Sequence, residues 1–302
     1  MKKISTEWLS VCGGCHVSLV DLHDKIIKIF KAFEWLRCPI LIDTKDYPDA
    51  DFGIVTGAIR TTNDIQAAKK IRKSCKHIVA FGTCAVYGGI SGAGCVHANH
   101  EIYEAVYLKN KTTISNIIPT ENLPELTKDI KPLDEVIKVD LYLTGCPPHQ
   151  SYIFTLLSAL SKGKKPVKAY RSVCAQCNRK MVKNDRITEL KNVLSDMPDQ
   201  DTCFLCQGYL CFGPVTLDRC FAPCPNKGVV CSGCCGPTIN VLEEPTIDIR
   251  IKIAKLMSEL TKIPKDFIIS EIERFSKTYY AYSMASQMIN KKQTYRLLNW
   301  IK

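Results

Sequence analysis

Residues 203–236 constrain this chain more than any other part of it. They read C-F-L-C-Q-G-Y-L-C-F-G-P-V-T-L-D-R-C-F-A-P-C-P-N-K-G-V-V-C-S-G-C-C-G. They hold Cys203, Cys206, Cys211, Cys220, Cys224, Cys231, Cys234 and Cys235 out of 17 cysteines in the chain. Cys174 and Cys177 stand just upstream as a C-x-x-C. No apolar core needs cysteine at this density. Gly208, Gly213, Gly228, Gly233 and Gly236 alternate with Pro214, Pro223, Pro225 and Pro237, so the backbone is built of turns with many N–H groups available to sulfur. The pattern points to thiolate ligation of metal, with thiols enough for two four-cysteine sites.

At 302 residues and 46% hydrophobic content, the chain can bury one large core or two ordinary ones. It has no run of 18 or more apolar residues, so no membrane span is expected. The start, M-K-K-I-S-T-E-W, has neither a signal-peptide apolar region nor a twin-arginine pair, and a cytoplasmic location is expected. In that compartment the cysteines argue for metal rather than disulfides. The formal net charge of +11 suggests nucleic acid at first sight, but the lysines are dispersed and no nucleic-acid signature is present. Three oxidised four-iron sites at about −2 each would lower that charge to roughly +5, an ordinary value for a soluble protein.

The first half alternates strand and helix patterns. Residues 4–11 read as a strand that runs into Cys12-Gly13-Gly14-Cys15. Residues 16–33 carry a helical apolar stripe (Leu19, Leu22, Ile26, Ile29, Phe30 and Phe33). Residues 39–42 and 52–55 read as buried strands and 64–73 as a helix. A strand at 77–81 leads into G-T-C-A-V-Y-G-G with Cys84. A last strand at 139–143 leads into T-G-C-P-P with Cys146, followed by a helix over 150–160. This order predicts an open, mostly parallel, doubly wound α/β sheet. Ligands in such sheets bind beyond the carboxyl ends of the strands, where three loops would bring Cys12, Cys15, Cys84 and Cys146 together. Neither a G-x-G-x-x-G nor a G-x-x-x-x-G-K-[ST] phosphate loop is present. A thioredoxin-type dithiol would leave Cys84 and Cys146 unexplained. Cys38 and Cys75 read as small buried hydrophobes, and Cys95 has no assigned role. Residues 109–138, interrupted by Pro119, Pro124 and Pro132, read as a surface excursion.

A basic, glycine-containing break at 161–165 marks a boundary between a first domain, 1–165, and a cysteine-rich second domain, 166–302, with few regular elements and C-terminal helices. Residues 186–194 read as a short helix, and 247–260 and 266–275 as amphipathic helices. The tail from 276 to 302, with Tyr279, Tyr280, Tyr282, Tyr295 and Trp300, reads either as a helical cover or as a subunit contact. One metal site takes Cys220, Cys224, Cys231 and Cys234. The other takes Cys174 and Cys177 with two of Cys203, Cys206 and Cys211. Zinc is the rival metal. The glycine-rich loops and the lack of paired C-x2-C knuckles of one ribbon favour iron–sulfur clusters.

C-G-G-C-H-V-S-L, G-T-C-A-V-Y-G-G, T-G-C-P-P, C-A-Q-C and Q-G-Y-L-C-F-G-P-V-T…C…C-P…G-V-V-C-S-G-C-C-G-P span residues 12–237. In this order they resemble the small, electron-transferring subunit of nickel–iron hydrogenases. Within that family the resemblance is to cytoplasmic forms of methanogens, and best to the small subunit of F420-non-reducing enzymes. It implies a flavodoxin-like first domain with a proximal 4Fe–4S cluster on Cys12, Cys15, Cys84 and Cys146. It implies a medial 4Fe–4S cluster on Cys220, Cys224, Cys231 and Cys234, where some relatives hold a three-iron cluster, and a distal one on Cys174, Cys177, Cys203 and Cys211. Cys206 and Cys235 are additional to the family's ligand set, and the choice between Cys203 and Cys206 stays open.

The function that the resemblance implies is an electron wire. Hydrogen is split at a nickel–iron centre on a partner large subunit, and electrons leave through this chain toward a 2Fe–2S acceptor subunit and heterodisulfide reductase. Bond-breaking catalysis is not expected here, since no paired carboxylates, Ser/His/Asp set or nucleotide fingerprint stands out. His16 and His149 flank cysteine motifs and read as structural. The alternatives are the gamma subunit of an F420-reducing or NAD(P)-linked hydrogenase and, from another class, a zinc-binding interaction protein.

Overall fold

The computed structural model describes residues 1–114, 116–164, 166, 170–243 and 248–286. It divides into two compact units, Met1–Lys165 with Met284–Ser286, and Pro166–Ser283.

In the first unit, β1 (Lys2–Trp8), β2 (Phe33–Arg37), β3 (Ala50–Thr56), β5 (Cys75–Phe81) and β7 (Leu141–Leu143) form one sheet in the order β2-β1-β3-β5-β7. Every pairing in it is parallel. This is the flavodoxin-like doubly wound order, with its switch point between β1 and β3. The strands are buried over most of their length, as parallel strands covered on both faces must be. The helices α1 (Gly14–Val20), α2 (Lys25–Ala32) and α6 (Gln150–Ser161) pack on one face around Ile4, Phe52, Val79, Phe81, Ile153 and Leu157. The helix α3 (Thr62–Ser74) packs against β3 and β5. It starts at a capping box: the Thr61 hydroxyl accepts from the Asp64 N–H at 3.2 Å, and the Asp64 carboxylate accepts from the Thr61 N–H at 2.7 Å. The same carboxylate accepts from the Ser10 hydroxyl at 2.8 Å and so anchors the chain just before Cys12.

Four local expectations need correction. The helix expected over 16–33 is two helices separated at residues 21–24, where His23 takes φ 50°. Its apolar stripe then runs into β2 without a loop, so period alone does not show the change of state. Residues 39–42 are not a strand: the Leu41 and Ile42 N–H groups both donate to the Cys38 carbonyl, at 2.9 and 2.8 Å. The 109–138 excursion contains β6 (Leu126–Lys131), antiparallel to β4 (Ile59–Thr61), with Ile130 and Leu133 buried. Residues 186–194 form turns. The Asn184 and Asn192 side chains accept from the N–H groups two residues on, at 3.2 and 3.0 Å, and compete with helix. Two further short helices, α4 (Thr83–Tyr87) and α5 (Asn99–Tyr103), lie in the first unit.

The second unit is mostly turns, with α7 (Pro223–Asn226), α8 (Ile239–Glu243), α9 (Ile249–Leu260) and α10 (Lys265–Arg274). Its core joins Phe204, Leu205, Tyr209, Phe212 and Val215 from the cysteine-rich stretch to Ile253, Met257, Ile268 and Ile272 of α9 and α10. Tyr295 and Trp300 lie outside the described residues. Among the described residues no helix is long and apolar enough to cross a membrane.

Glu7 on β1 is nearly fully buried. It accepts from Arg37 at 2.7 Å and from the Tyr47 hydroxyl at 2.6 Å, while Arg37 also donates to the carbonyls of Thr44 and Lys45. This arrangement pins the connection after β2 to the sheet. We expect Arg37→Met to strand the carboxylate and cost about 3–5 kcal/mol. Anaerobic denaturant titration measures it, and a loss below about 1 kcal/mol would show that Glu7 is satisfied without the guanidinium.

Candidate metal centres

The first set sits beyond the carboxyl ends of β1, β5 and β7. Cys12 follows β1, Cys15 lies in α1, Cys84 in α4, and Cys146 follows β7. The two distant loops are joined by three hydrogen bonds: Gly82 N–H to the Leu143 carbonyl (2.7 Å), Thr83 N–H to the Gly145 carbonyl (2.9 Å), and Gly145 N–H to the Thr83 hydroxyl (2.9 Å). The Ser18 hydroxyl donates to the Pro148 carbonyl at 2.7 Å and ties α1 to the loop of Cys146. Gly82, at φ 89°, leaves room for the Cys15 sulfur, which an added Cβ would overlap. Gly89, at φ 60°, does the same for Cys84. Burial, then repulsion from the thiolates of Cys84, Cys146 and Cys12, pushes the Cys15 thiol far above its ordinary range. All four thiols therefore share one neighbourhood.

In the second unit two more groups form. Cys174 is pushed up to about 12 by burial and then by Cys211, Cys203 and Cys177. Cys206 is raised by burial and then by Cys203, and it is not among the neighbours that shift Cys174. Cys220, Cys224 and Cys234 form the other group: Cys224 is raised by burial, then by Cys234 and Cys220. Cys231 lies between the groups, raised by burial and then by Cys211, with Cys234 a weaker neighbour. The Cys231 N–H donates to the Cys211 sulfur at 3.4 Å, and its carbonyl accepts from the Phe212 N–H at 2.9 Å. Arg179 holds the C-A-Q-C turn against the rest. It lies over the Phe204 ring at 3.9 Å and donates to the carbonyls of Asp199 (2.6 Å), Thr202 (2.9 Å) and Pro225 (2.9 Å).

The donor set fits a thiolate-ligated, cationic core. Buried thiols that repel one another as thiolates stay protonated unless positive charge offsets them, so loading such a core expels protons. Backbone N–H groups already point at sulfur: Gly14 at Cys12 (3.4 Å), Cys231 at Cys211, and Gly213 at Cys211. The Thr144 hydroxyl, beside the Cys146 loop, is buried with no partner, as a donor to cluster sulfur would be in the chain alone. Among the described residues no three His, Cys, Asp or Glu side chains converge tightly enough for one ion.

His16 is buried between the Thr6 and Thr56 hydroxyls, at 3.0 and 3.3 Å, and burial lowers it to about 4. It is a structural residue. The His149 ring caps α6 by accepting from the Ser151 N–H at 3.2 Å. Cys38 and Cys75 are buried in the first unit, and Cys95 faces the Ile130 carbonyl at 3.8 Å. Sequence reasoning missed Gly82, Gly89 and Thr144 as parts of the site. The signal was there in G-T-C-A-V-Y-G-G, where glycine precedes and follows a ligating loop.

Because Gly82 combines positive φ with contact to the Cys15 sulfur, Gly82→Ala should strain the loop by about 1–3 kcal/mol and displace that thiol. Alkylation of the metal-free protein, read by mass spectrometry, checks it: Cys15 should react faster than in the parent, and an unchanged rate would refute the packing argument.

The family model for the NADH ubiquinone oxidoreductase 20 Kd subunit matches residues 12–160. The chain is 34% identical to an iron-sulfur subunit of the F420-non-reducing hydrogenase of Archaeoglobus profundus, over 93% of this chain and 95% of that one. It is 31% identical to the corresponding F420-non-reducing hydrogenase chain of Methanothermobacter marburgensis, over 96% of each. Among solved structures, a chain of an NAD+-reducing [NiFe]-hydrogenase in the H2-reduced state aligns with TM-score 0.54 and 27% identity, covering 56% of this chain and 96% of that chain. This chain therefore belongs to the small-subunit family of nickel–iron hydrogenases, iron–sulfur subunits of oxidoreductase complexes whose catalytic centre lies on the large subunit.

Proposed function

We propose that this chain is the electron-transfer small subunit of a cytoplasmic nickel–iron hydrogenase, holding three 4Fe–4S clusters. The proximal cluster takes Cys12, Cys15, Cys84 and Cys146, the medial one Cys220, Cys224, Cys231 and Cys234, and the distal one Cys174, Cys177, Cys203 and Cys211. Its partners are the large subunit with the nickel–iron centre, a 2Fe–2S acceptor subunit and heterodisulfide reductase. The observation that carries this reading is the gathering of thiols from loops far apart in sequence, Cys15 with Cys84 and Cys146 above all. The neighbours of Cys174 favour Cys203 over Cys206 as the distal ligand.

Bound clusters supply one-electron redox chemistry. The chain's own residues hold the sulfurs, keep water from them and aim N–H dipoles at them. Phe204, Leu205 and Phe212, all almost fully buried, shield the distal group. Such shielding and sulfur-directed hydrogen bonds set potential.

Anaerobically reconstituted protein should bind about 12 iron atoms per chain with matching acid-labile sulfide, four per cysteine set. Saturation near eight (about two clusters) removes one set, and zinc without sulfide rejects the reading altogether. Cys224 is exposed in α7 and is the candidate for the fourth thiolate of the medial set. We expect Cys224→Ala to lose one iron there and to show a three-iron paramagnetic signal when oxidised. Four-iron content unchanged in that variant would mean that the ten cysteines of the second unit must be regrouped.

A further inference from the structure

Asn226 is no ligand, yet its side chain closes on the C-A-Q-C loop of the second unit. Its amide N–H donates to the Gln176 carbonyl at 3.0 Å, and its side-chain carbonyl accepts from the Asn178 N–H at 2.8 Å. The amide fits only this way round, because one partner has no proton to give and the other has no lone pair to offer. Between the two partners lies Cys177. Asn226 is exposed, so no apolar packing explains its place.

The two partners belong to the peptide groups on either side of the Cys177 Cα. The Gln176 carbonyl lies in the peptide plane before it, and the Asn178 N–H lies in the plane after it. Only φ and ψ of Cys177 turn those planes against each other. A side chain that holds both planes therefore fixes φ and ψ, here −83° and 130°, and with them the direction of the Cys177 Cβ. The loop's own closure is longer: the Cys177 N–H reaches the Cys174 carbonyl at 3.3 Å. Asn226 is itself held. It ends α7, where Pro223 and Pro225 restrict the backbone, and its N–H donates to the Ala222 carbonyl at 3.2 Å. Next to it, the Pro225 carbonyl accepts from Arg179 at 2.9 Å. Three hydrogen bonds thus join the segment after Cys224 to the segment around Cys177.

We infer, resting on the iron–sulfur reading above, that Asn226 is a positioning residue for Cys177. It aims one thiolate of the distal set from the loop that carries Cys224 of the medial set. Four thiolates must meet one core. A ligand already held in direction loses less freedom when the core binds, and it releases the core more slowly. Neutral hydrogen bonds at an exposed site are modest in strength. Loss of this pair should therefore change a rate by about tenfold rather than abolish binding.

The test uses the full chain, loaded anaerobically with iron and sulfide. Sulfide analysis of the unsubstituted protein comes first: absence of sulfide removes the underlying reading, separately from the role of Asn226. Cys174→Ala then identifies the distal centre as the paramagnetic signal that it loses. In Asn226→Ala that signal should change shape, and a chelator should strip that centre about tenfold faster than in the parent, while the other two centres keep their iron. Asn226→Asp keeps the acceptor for the Asn178 N–H and loses the donor to the Gln176 carbonyl, so its distal centre should be stripped at an intermediate rate. Release at the parent rate in both variants overturns the inference. So does equal acceleration at all three centres, which would mark a general loosening of the chain. Hydrogen exchange of the loaded protein, read by mass spectrometry, gives a second check. The Asn178 N–H should exchange about tenfold faster in Asn226→Ala and near the parent rate in Asn226→Asp. An unchanged rate in Asn226→Ala would show that the side chain does not hold the Cys177 peptide groups.

Discussion

The arrangement of the first unit depends on three hydrogen bonds that join Gly82 and Thr83 to Leu143 and Gly145. Parallel strands end at one edge of a sheet, but the loops beyond them are free to diverge. Here two of those loops are laced together before either reaches its cysteine. Thr83 serves twice, through its N–H and through its hydroxyl, and both it and Gly145 are largely withdrawn from solvent. Thiols at positions 84 and 146 thus inherit the rigidity of the sheet, and Cys15 enters from α1 with Ser18 holding that helix to the same loop.

The second unit solves the same problem without a sheet. Its cysteines are spaced by turns, and turns alone hold nothing in place. Order comes from α9 and α10, which supply the apolar mass, and from Arg179, which gathers three carbonyls and one aromatic ring. A cation with five N–H donors suits this task because each loop carbonyl needs a partner where water is scarce.

Much of this was legible in the sequence. The parallel sheet followed from alternating buried strands and helices, and the first cysteine group from loops that follow three of those strands. What was not legible has physical causes. The break at His23 and the strand Phe33–Arg37 share one apolar stripe with α2, so no periodic signal marks the change. The helix expected over 186–194 was lost to Asn184 and Asn192, whose side chains satisfy nearby N–H groups before a helix can. β4 pairs with β6 across some 65 residues, and a three-residue strand carries too little pattern to announce a partner that far away. That Cys203 rather than Cys206 neighbours Cys174 is a matter of tertiary direction that spacing does not encode.

Cys231 gives its N–H to the Cys211 sulfur and its carbonyl to the Phe212 N–H. The backbone of Cys231 is therefore hydrogen-bonded to the segment that carries Cys211. Electron transfer slows steeply as a gap widens, so centres seated on those sulfurs would be held close through the backbone of Cys231 rather than through side chains alone.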